Sequence, residues 1–321
     1  MRILVTGASG FIGRHLVDRL VALPEARLRV TLRRPEAAPA FEARGIETVL
    51  GDLTDTATVR AAVAGVDQIV HAAGATRAAD PALLQRVNAA AAGRLAAAAR
   101  EAGEARLLLL SSLAARGPDR RPTAGDAPAS AYGASKLAGE HAIAAALPPD
   151  RTLILRLGAV YGPGDRDLLP LFVAASRGLL LVPSVRLPVQ PLYVGDLVAL
   201  VATLAARPAW PEPGPWPVVA PERATWAEAA GDLARAVGRP RALRLPLPPT
   251  VLRIAATLQE LWAERTGQAP RLDRRRVADL VQHAYTADPT PLAAATGWRA
   301  TTPLATGLAR TADGYRTEGW L

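Results

Sequence analysis

The stretch TGASGFIG, Thr6–Gly13, follows the apolar run RILVT at Arg2–Thr6. Gly7 permits a tight turn, Gly10 lets the backbone approach a phosphate closely, and Gly13 allows the following helix to pack on the sheet. The amino end of that helix presents unpaired N–H groups, which suit a pyrophosphate. The stretch therefore predicts a strand, turn and helix that bind a dinucleotide. The candidate contacts in this stretch are Gly7, Ser9, Gly10, Phe11, Ile12 and Gly13.

Apolar runs and helical stretches continue to alternate through the first half of the chain. The predicted strands are Arg2–Thr6, Leu28–Leu32, Ile46–Leu50, Asp67–His71, Arg106–Leu110 and Thr152–Arg156. The predicted helices are Phe11–Leu23, Val59–Val63, Pro81–Ala102 and Ala131–Ala146. Buried strands that alternate with helices pair in parallel. The fold class expected is α/β, a doubly wound Rossmann-type parallel sheet with helices on both faces.

After about Ala159 the alternation gives way to loops rich in proline and glycine. These loops read YGPGDRD, LVPSVRLPVQP, RPAWPEPGPWP and LRLPLPPT. We therefore predict a dinucleotide-binding domain over residues 1–165, with segments returning near 187–222, and a mainly substrate-binding region over 166–321. Because ligands of open α/β sheets bind at the carboxyl ends of the strands, the second region is expected to lie there.

The composition excludes several classes of site. The chain of 321 residues contains no cysteine, and its four histidines show no HxxxH or HxH spacing, so no disulfide and no metal site are expected. The net charge of +9 is dispersed, with its densest run at Arg274–Arg276, which indicates a coding bias rather than a nucleic-acid surface. No run approaches the roughly 20 apolar residues of a membrane span. The first strand begins at once, so the sequence predicts a cytoplasmic protein without a membrane partner.

The segment TLRRPE bears on the choice of cofactor. At the end of the second strand NAD-binding sites carry an acidic residue for the ribose, whereas this chain has Arg33 and Arg34 and no acid before Glu36. A guanidinium there suits the 2′-phosphate of NADP. We therefore predict NADP, contacted by Arg33, with NAD as the alternative. Arg33 can also be read as an ordinary solvated strand end.

Two further strand ends carry candidate cofactor contacts. Asp52 and Leu53 follow the third strand and are expected at the adenine edge. Ala72, Ala73 and Gly74 follow the fourth strand, and their small size lets the backbone pass close to a cofactor. His71, just before them, is interpreted as a packed residue at the strand end rather than a catalyst.

Two residues are unique in the chain: Lys136 is its only lysine and Asn88 its only asparagine. Tyr132 lies four residues before Lys136, so a helix places both side chains on one face, one turn apart. A phenol ordinarily titrates near ~10, and a neighbouring ammonium favours its ionised form. This spacing predicts a tyrosine that transfers protons near neutral pH. The plain alternative is an exposed helix start.

The motifs TGASGFIG, HAAG, LLLLSSLAARGP and YGASK occur in this order, followed by RLGAVYGPGD and QPLYVGDLV. In these motifs and their order the chain resembles the extended short-chain dehydrogenase/reductase family, which is the NAD-dependent epimerase/dehydratase group. The resemblance implies that Tyr132 is the general acid/base and that Lys136 lowers its pKa and binds the nicotinamide ribose. It also implies that Ser112, rather than its neighbour Ser111, binds the substrate oxygen, and that Asn88 belongs to the proton relay.

The resemblance leaves three functions open. Dehydratases of this family carry an acidic pair after the serine, where this chain has Leu113-Ala114-Ala115, so interconversion of a ketone and a secondary alcohol is favoured. The TLRRP segment resembles dihydroflavonol-reductase and 3β-hydroxysteroid-dehydrogenase-like members. A nucleotide-sugar epimerase is the first alternative, with Arg177, Arg186 and Arg253 as candidate diphosphate contacts. A non-catalytic NADP-binding sensor or structural protein is the second.

Three expectations concern surfaces. Family members commonly pair through two long helices, here Pro81–Ala102 and Ala131–Ala146, so the resemblance implies a homodimer. Val251–Trp262 is predicted to form an amphipathic helix, which either lines an apolar substrate pocket or packs in the core. The tryptophans near the proline-rich loops either border that pocket or pack ordinarily; they are Trp210, Trp216 and Trp226.

Overall fold

A parallel sheet forms the centre of the computed structural model, which describes residues 1–78, 80–119, 125–183, 185–266, 277 and 284–321. The strands are β1 (Arg2–Thr6), β2 (Arg27–Leu32), β3 (Glu47–Leu50), β4 (Gln68–His71), β5 (Arg106–Ser112), β6 (Thr152–Leu157), β7 (Val160–Tyr161), β8 (Leu179–Pro183), β9 (Leu192–Tyr193), β10 (Pro215–Val218) and β11 (Leu243–Leu247). Within the described residues, seven of them pair in the order β10-β6-β5-β4-β1-β2-β3. Every pairing in this sheet is parallel, which confirms the predicted fold class.

Helices cover both faces of the sheet. The described helices are α1 (Phe11–Leu20), α2 (Ala38–Glu42), α3 (Thr56–Val63), α4 (Pro81–Leu84), α5 (Ala91–Glu101), α6 (Leu113–Arg116), α7 (Ala131–Ala146), α8 (Leu169–Ser176), α9 (Val194–Ala205), α10 (Trp226–Ala236), α11 (Pro249–Thr266), α12 (Thr290–Thr296) and α13 (Leu304–Thr317). A π-helical segment, Gln85–Ala90, joins α4 to α5. Short 3-10 turns lie at Pro35–Ala37 and Pro149–Arg151.

The alternation along each strand divides the core in two. In β1, Ile3 and Val5 belong to the cluster that contains the buried faces of α1 and α9. Leu4 points to the other side, into the cluster formed with α3, α5 and part of α7. Successive strand residues point to opposite faces, so five residues of β1 are enough to anchor helices on both sides.

Two proline-containing segments that the sequence assigned to loops form strands. Pro215–Val218 pairs with β6 at the edge of the main sheet, and Leu243–Leu247 pairs with β8 in a separate two-stranded sheet. The loop prediction is wrong at these places because proline is tolerated in a strand at an edge, where its missing N–H breaks no ladder hydrogen bond. β5 also extends two residues beyond the predicted end, since Ser111 and Ser112 pair with β6.

The two long helices proposed for a dimer interface pack closely on each other within the chain. A Cβ at Gly139 of α7 would lie 2.6 Å from the Asn88 carbonyl oxygen, and one at Gly93 of α5 would lie 3.1 Å from the Ala142 methyl group. The small residues therefore permit a close helix crossing inside one molecule. The homodimer itself stays a prediction.

A further cluster of buried side chains lies in the second half of the chain. It brings together α8, β8, α10 and α13, with Phe172 and Tyr315 as its largest fully buried members. By contrast, α9 and β10 belong to the layers of the main sheet although both follow residue 165. Among the described residues, no helix is both long and apolar enough to cross a bilayer.

Gly7 should tolerate a side chain less well than Gly45, a glycine that has only the left-handed backbone conformation. Gly7 has φ +72°, and its Cβ would lie 2.7 Å from the Ala73 nitrogen, whereas Gly45 has φ +71° and no atom within 4 Å of its Cβ position. Gly45→Ala should therefore lower the free energy of unfolding by about 1–2 kcal/mol, the cost of the backbone conformation alone. Gly7→Ala should lose more, because the methyl group overlaps backbone atoms. Urea unfolding measures both, and equal losses would contradict the close approach.

Candidate active site

The turn between β1 and α1 presents bare backbone to the carboxyl edge of the sheet. The Gly10 N–H donates to the Gly7 carbonyl at 3.0 Å, and no described side chain caps the helix that follows. Ser9 and Gly10 are exposed, and a Cβ at Gly10 would have only the Gly7 oxygen within contact distance, at 3.2 Å. A Cβ at Gly13 would lie 2.0 Å from the same oxygen, so the helix packs directly on the turn. The turn thus fits the pyrophosphate of a dinucleotide.

The end of β4 lies against this turn. The Ala73 N–H donates to Thr6 Oγ1 at 3.3 Å, and the same hydroxyl is hydrogen-bonded to His71 Nδ1 at 2.7 Å. Burial, reinforced by the positive charge of Lys136, lowers the pKa of His71 to about 3. His71 is therefore a neutral, packed residue, as interpreted from the sequence.

The candidate adenosine contacts lie at the ends of β2 and β3. Arg33 and Asp52 are exposed, whereas the Leu53 side chain is buried in a core cluster. Hydrogen bonds from Thr54 chiefly lower the pKa of Asp52, and the positive charge of Arg33 adds to this effect. Arg33 and Asp52 therefore act on each other at one corner of the sheet. Only the backbone of Leu53 is therefore available to contact a ligand.

Lys136 is buried at the centre of the site. Ser130 caps α7 by accepting from the Gly133 N–H at 3.1 Å, and Tyr132 and Lys136 follow on successive turns. The Lys136 ammonium donates to the Leu110 carbonyl of β5 at 2.7 Å, and a Cβ at Gly74 would lie 3.8 Å from its nitrogen. Burial lowers the pKa of Lys136 to about 8, against the opposing effect of the Glu140 charge. The ammonium therefore lies beside the end of β4.

Asn88 connects the loop after β4 to α7. Its amide oxygen accepts from the Ala75 N–H at 2.8 Å, while its nitrogen donates to the Ala75 carbonyl at 2.8 Å and to Ser135 Oγ at 2.9 Å. Ser135 in turn donates to the Tyr132 carbonyl at 2.7 Å. Asn88 lies in the π-helical segment, a deviation that often marks functional positions. Both amide hydrogens of this side chain are therefore used: one holds the loop after β4, and the other holds Ser135, which binds the Tyr132 carbonyl.

The two adjacent serines at the end of β5 have different partners. Ser111 is buried and donates to the Glu140 carboxylate. Ser112 is half-buried and accepts from the Ala114 N–H at 3.2 Å, which caps α6 and leaves its hydroxyl hydrogen free to donate elsewhere. A Cβ at Gly133 would lie 2.2 Å from the Ala114 carbonyl, so α6 packs beside the turn that carries Tyr132. This geometry is consistent with the preference for Ser112 over Ser111.

Sequence reasoning missed a buried ionic network under the site. Glu140 is one turn beyond Lys136, and its carboxylate receives the Arg156 guanidinium at 2.6 Å; both side chains are less than a tenth exposed. Arg156 also donates to Asp126 at 2.6 and 2.7 Å. Burial alone would lower the pKa of Arg156, but the hydrogen bonds to Asp126 and Glu140 outweigh it and raise that pKa. The spacing of four residues that joins Tyr132 to Lys136 continues to Glu140 and was the available signal.

A cleft of about 520 Å³ lies beyond the end of β10. Its charged lining residues are Glu222, Arg223, Glu228, Asp232, Arg235 and Arg244. The three arginines suggested by composition are not among its lining residues; they are Arg177, Arg186 and Arg253. Trp210 and Trp216 donate to backbone carbonyls and pack against the main core.

A family model described as the NAD dependent epimerase/dehydratase family matches residues 3–216. The chain belongs to this family. Ceramide reductase of Caulobacter vibrioides is 35% identical over 323 residues, which cover 99% of this chain and 96% of that protein. The 2-alkyl-3-oxoalkanoate reductase of Stenotrophomonas maltophilia is 30% identical over 90% of this chain and 92% of that protein. The crystal structure of the Bordetella bronchiseptica enzyme WbmG with NAD and UDP has a TM-score of 0.78 at 20% identity, over 100% of this chain and 96% of that one.

The family match and the relatives extend the resemblance from short motifs to nearly the whole chain. Members of the NAD dependent epimerase/dehydratase family are NAD(P)-dependent enzymes of oxidoreductase or epimerase type, and reductases are among the relatives of this chain. The similarity to solved structures confirms the fold. The individual roles of Ser112, Tyr132, Lys136 and Asn88 stay predictions.

The titration of Lys136 tests the geometry directly. Because Lys136 is the only lysine, selective ¹³C labelling of lysine gives one side-chain signal by NMR. We expect this signal to titrate near pH 8 in the folded protein, since burial disfavours the charged form. In Glu140→Gln the midpoint should fall further, because the carboxylate that favours the ammonium is lost.

This titration has a control variant and one outcome that would contradict it. Asp313→Asn removes the carboxylate of an exposed pair with Arg316 and should leave the Lys136 midpoint and the free energy of unfolding nearly unchanged. A wild-type midpoint near the ordinary lysine value of ~10.4 would contradict the buried position of the ammonium.

Proposed function

We propose that this protein is an NADPH-dependent reductase that interconverts a ketone and a secondary alcohol, with Ser112, Tyr132 and Lys136 as its catalytic residues. The observation that carries the proposal is the buried Lys136 ammonium, held at the Leu110 carbonyl. It lies one helical turn from Tyr132 and beside Gly74, where β4 meets the glycine turn. Proton transfer and dinucleotide binding thereby share one edge of the sheet.

The chemistry divides between cofactor and protein. A bound nicotinamide cofactor supplies the hydride. Tyr132 donates its phenolic proton to the ketone oxygen as that oxygen gains negative charge, and Ser112 donates a hydrogen bond to the same oxygen. Lys136, a cation at neutral pH with its pKa of about 8, stabilises the phenolate that remains. In the oxidative direction Tyr132 accepts the proton from the alcohol.

The supporting residues keep this pair in position. Asn88 ties the Ala75 backbone to Ser135, which in turn holds the Tyr132 carbonyl. Glu140 holds Ser111 and compensates the charge of Arg156, so the buried side of α7 is satisfied. A positioned acid/base contributes typically ~10²–10⁴ in rate, which depends on this fixed geometry.

Arg33 is the proposed contact for the 2′-phosphate of NADP. Its side chain is exposed beyond β2, and its charge acts on Asp52 across the strand ends. A guanidinium at this place favours a phosphate over the free hydroxyl of NAD. The glycine turn contributes backbone N–H groups to the pyrophosphate.

The proposed substrate class rests on the relatives. Two relatives are named as reductases, one of ceramide and one of 2-alkyl-3-oxoalkanoates, and both names describe molecules with alkyl chains. We therefore favour a ketone flanked by apolar chains over the substrate of an epimerase. The intact Tyr132 and Lys136 pair speaks against a purely cofactor-binding sensor.

Tyr132→Phe tests the proposed acid/base. The variant should lose at least about 10²-fold in kcat on 2-alkyl-3-oxoalkanoates, because the phenolic proton is gone. Its affinity for NADPH, followed by fluorescence, should stay within a few-fold of wild type. Unchanged turnover would refute the assignment, and NADPH binding by the wild type without turnover of any ketone in a panel would favour the sensor.

The neighbouring serines provide a matched pair for the same assay. Ser112→Ala should lower kcat by about 10-fold or more, because one hydrogen bond to the developing oxyanion is lost. Ser111→Ala should act mainly on the free energy of unfolding, because it removes one of the hydrogen bonds to the buried Glu140 carboxylate. The reverse pattern would move the substrate contact to Ser111.

Arg33→Ala should weaken NADPH binding by about 10-fold or more, the loss of a charge-assisted hydrogen bond. NADH binding should change little, since it has no 2′-phosphate. Arg34→Ala is the matched control, because Arg34 is exposed next to Arg33. Fluorescence titration with both reduced cofactors measures the ratio, and tighter binding of NADH by the wild type would overturn the NADP assignment.

A further inference from the structure

Helix α11 turns an apolar stripe towards solvent. We call these residues the outer stripe: Val251, Ile254, Leu258, Leu261 and Trp262, which are 45%, 62%, 61%, 48% and 56% exposed. Their spacing of three, four, three and one places them on one side of the helix. The opposite side holds the helix to the protein, because Leu252 and Ala256 are buried in a cluster with Val277.

The small β8–β11 sheet adjoins α11, because Leu247 at the end of β11 packs against the buried side of the helix, and this sheet also exposes leucines. Leu179 pairs with Leu243 and Leu181 with Leu245, so the four side chains share one face of the β8–β11 sheet, and all four are exposed. Together with the outer stripe they make up nine of the 14 large hydrophobic residues that are exposed among the described residues. Such a concentration marks an interaction surface rather than the usual scatter of apolar side chains.

The charges around this surface are mainly positive. Residues 239–266 contain five arginines and two glutamates. Arg239, Arg241, Arg253 and Arg265 are exposed in this part of the chain, whereas Arg244 points to the other face of β11 and lines the cleft beyond β10. Arg265 follows Leu258 by seven residues and so lies on the same side of α11 as the outer stripe. An apolar stripe with an indole and flanking arginines is the pattern of helices that lie in the interface of an anionic bilayer.

A second copy of the chain fits this surface less well, because pairing face to face about a two-fold axis would bring the same arginines together.

We propose that the outer stripe and the four sheet leucines dock on the surface of an anionic lipid bilayer. The helix lies on the membrane and does not cross it. The sequence predicted no membrane partner, because a search for spans cannot reveal an apolar helix face that is exposed to solvent after folding. Docking does not depend on the proposed reaction. That it brings the site to ketones with apolar chains is a consequence that rests on the proposed function.

Flotation of the full-length protein with vesicles tests docking without any turnover. We expect binding to vesicles of phosphatidylglycerol and phosphatidylcholine in equal amounts, weaker binding to phosphatidylcholine alone, and a loss with added salt. The double variant Ile254→Gln/Leu258→Gln should bind anionic vesicles about tenfold more weakly or worse. Both side chains are already exposed, so its urea unfolding should match wild type. Leu50→Gln, which changes a leucine of similar exposure in β3, is the control and should bind like wild type.

Three results would overturn the proposal. The first is wild-type protein that does not float with anionic vesicles, and the second is equal binding by the double variant. The third is sedimentation velocity showing that the double substitution dissociates a dimer while vesicle binding is unchanged, which would assign the surface to a second copy. Loss of ketone reduction with docking intact would count against the proposed function alone.

Discussion

The arrangement of the site depends on one buried cation. The Lys136 ammonium has almost no access to solvent, so it requires protein acceptors, and the Leu110 carbonyl at the end of β5 supplies one at 2.7 Å. Glu140, one turn further along α7, supplies the nearest stabilising charge. To meet these partners α7 must cross the carboxyl end of β5, and this crossing sets where Tyr132 lies, one turn earlier. Burial also lowers the pKa of the ammonium to about 8, so that this group can lose its proton near neutral pH.

A second constraint is the absence of side chains where backbones meet. The turn at Gly7 touches the end of β4 at Ala73, and Gly13 brings α1 onto that turn. On the other side of the sheet, Gly139 lets α7 approach the Asn88 carbonyl. These close contacts bring the glycine turn, the end of β4 and the buried ammonium to one edge of the sheet. Asn88 then joins them by hydrogen bonds to Ala75 and Ser135. The site is thus an outcome of packing in the first half of the chain, where the side chains of Lys136, Asn88, Ser111 and Glu140 all have hydrogen-bond partners.

The second half of the chain has a separate core and an exposed apolar surface. Its own core, around Phe172 and Tyr315, holds α8, β8, α10 and α13 together, but α11 and the β8–β11 sheet keep apolar side chains in contact with water. Exposed leucines on a small two-stranded sheet are an aggregation hazard unless something covers them, and the surrounding arginines oppose self-association. The polar side chains of the candidate site are paired, whereas α11 and the small sheet keep apolar side chains exposed.

The sequence by itself determined the strand and helix order of the first half, the glycine turn and the one-turn spacing of Tyr132 and Lys136, because these are local patterns with local physical causes. It did not reveal the strands at Pro215–Val218 and Leu243–Leu247, since proline in a strand is acceptable only at an edge and edges exist only in the assembled sheet. The family resemblance favoured Ser112 over Ser111, but the sequence did not point to Glu140, because its partners Ser111 and Arg156 lie on other elements. The apolar stripe of α11 could be read from spacing alone, but whether anything covers a helix face is decided by tertiary packing, since burial is a property of neighbours and not of the residues themselves.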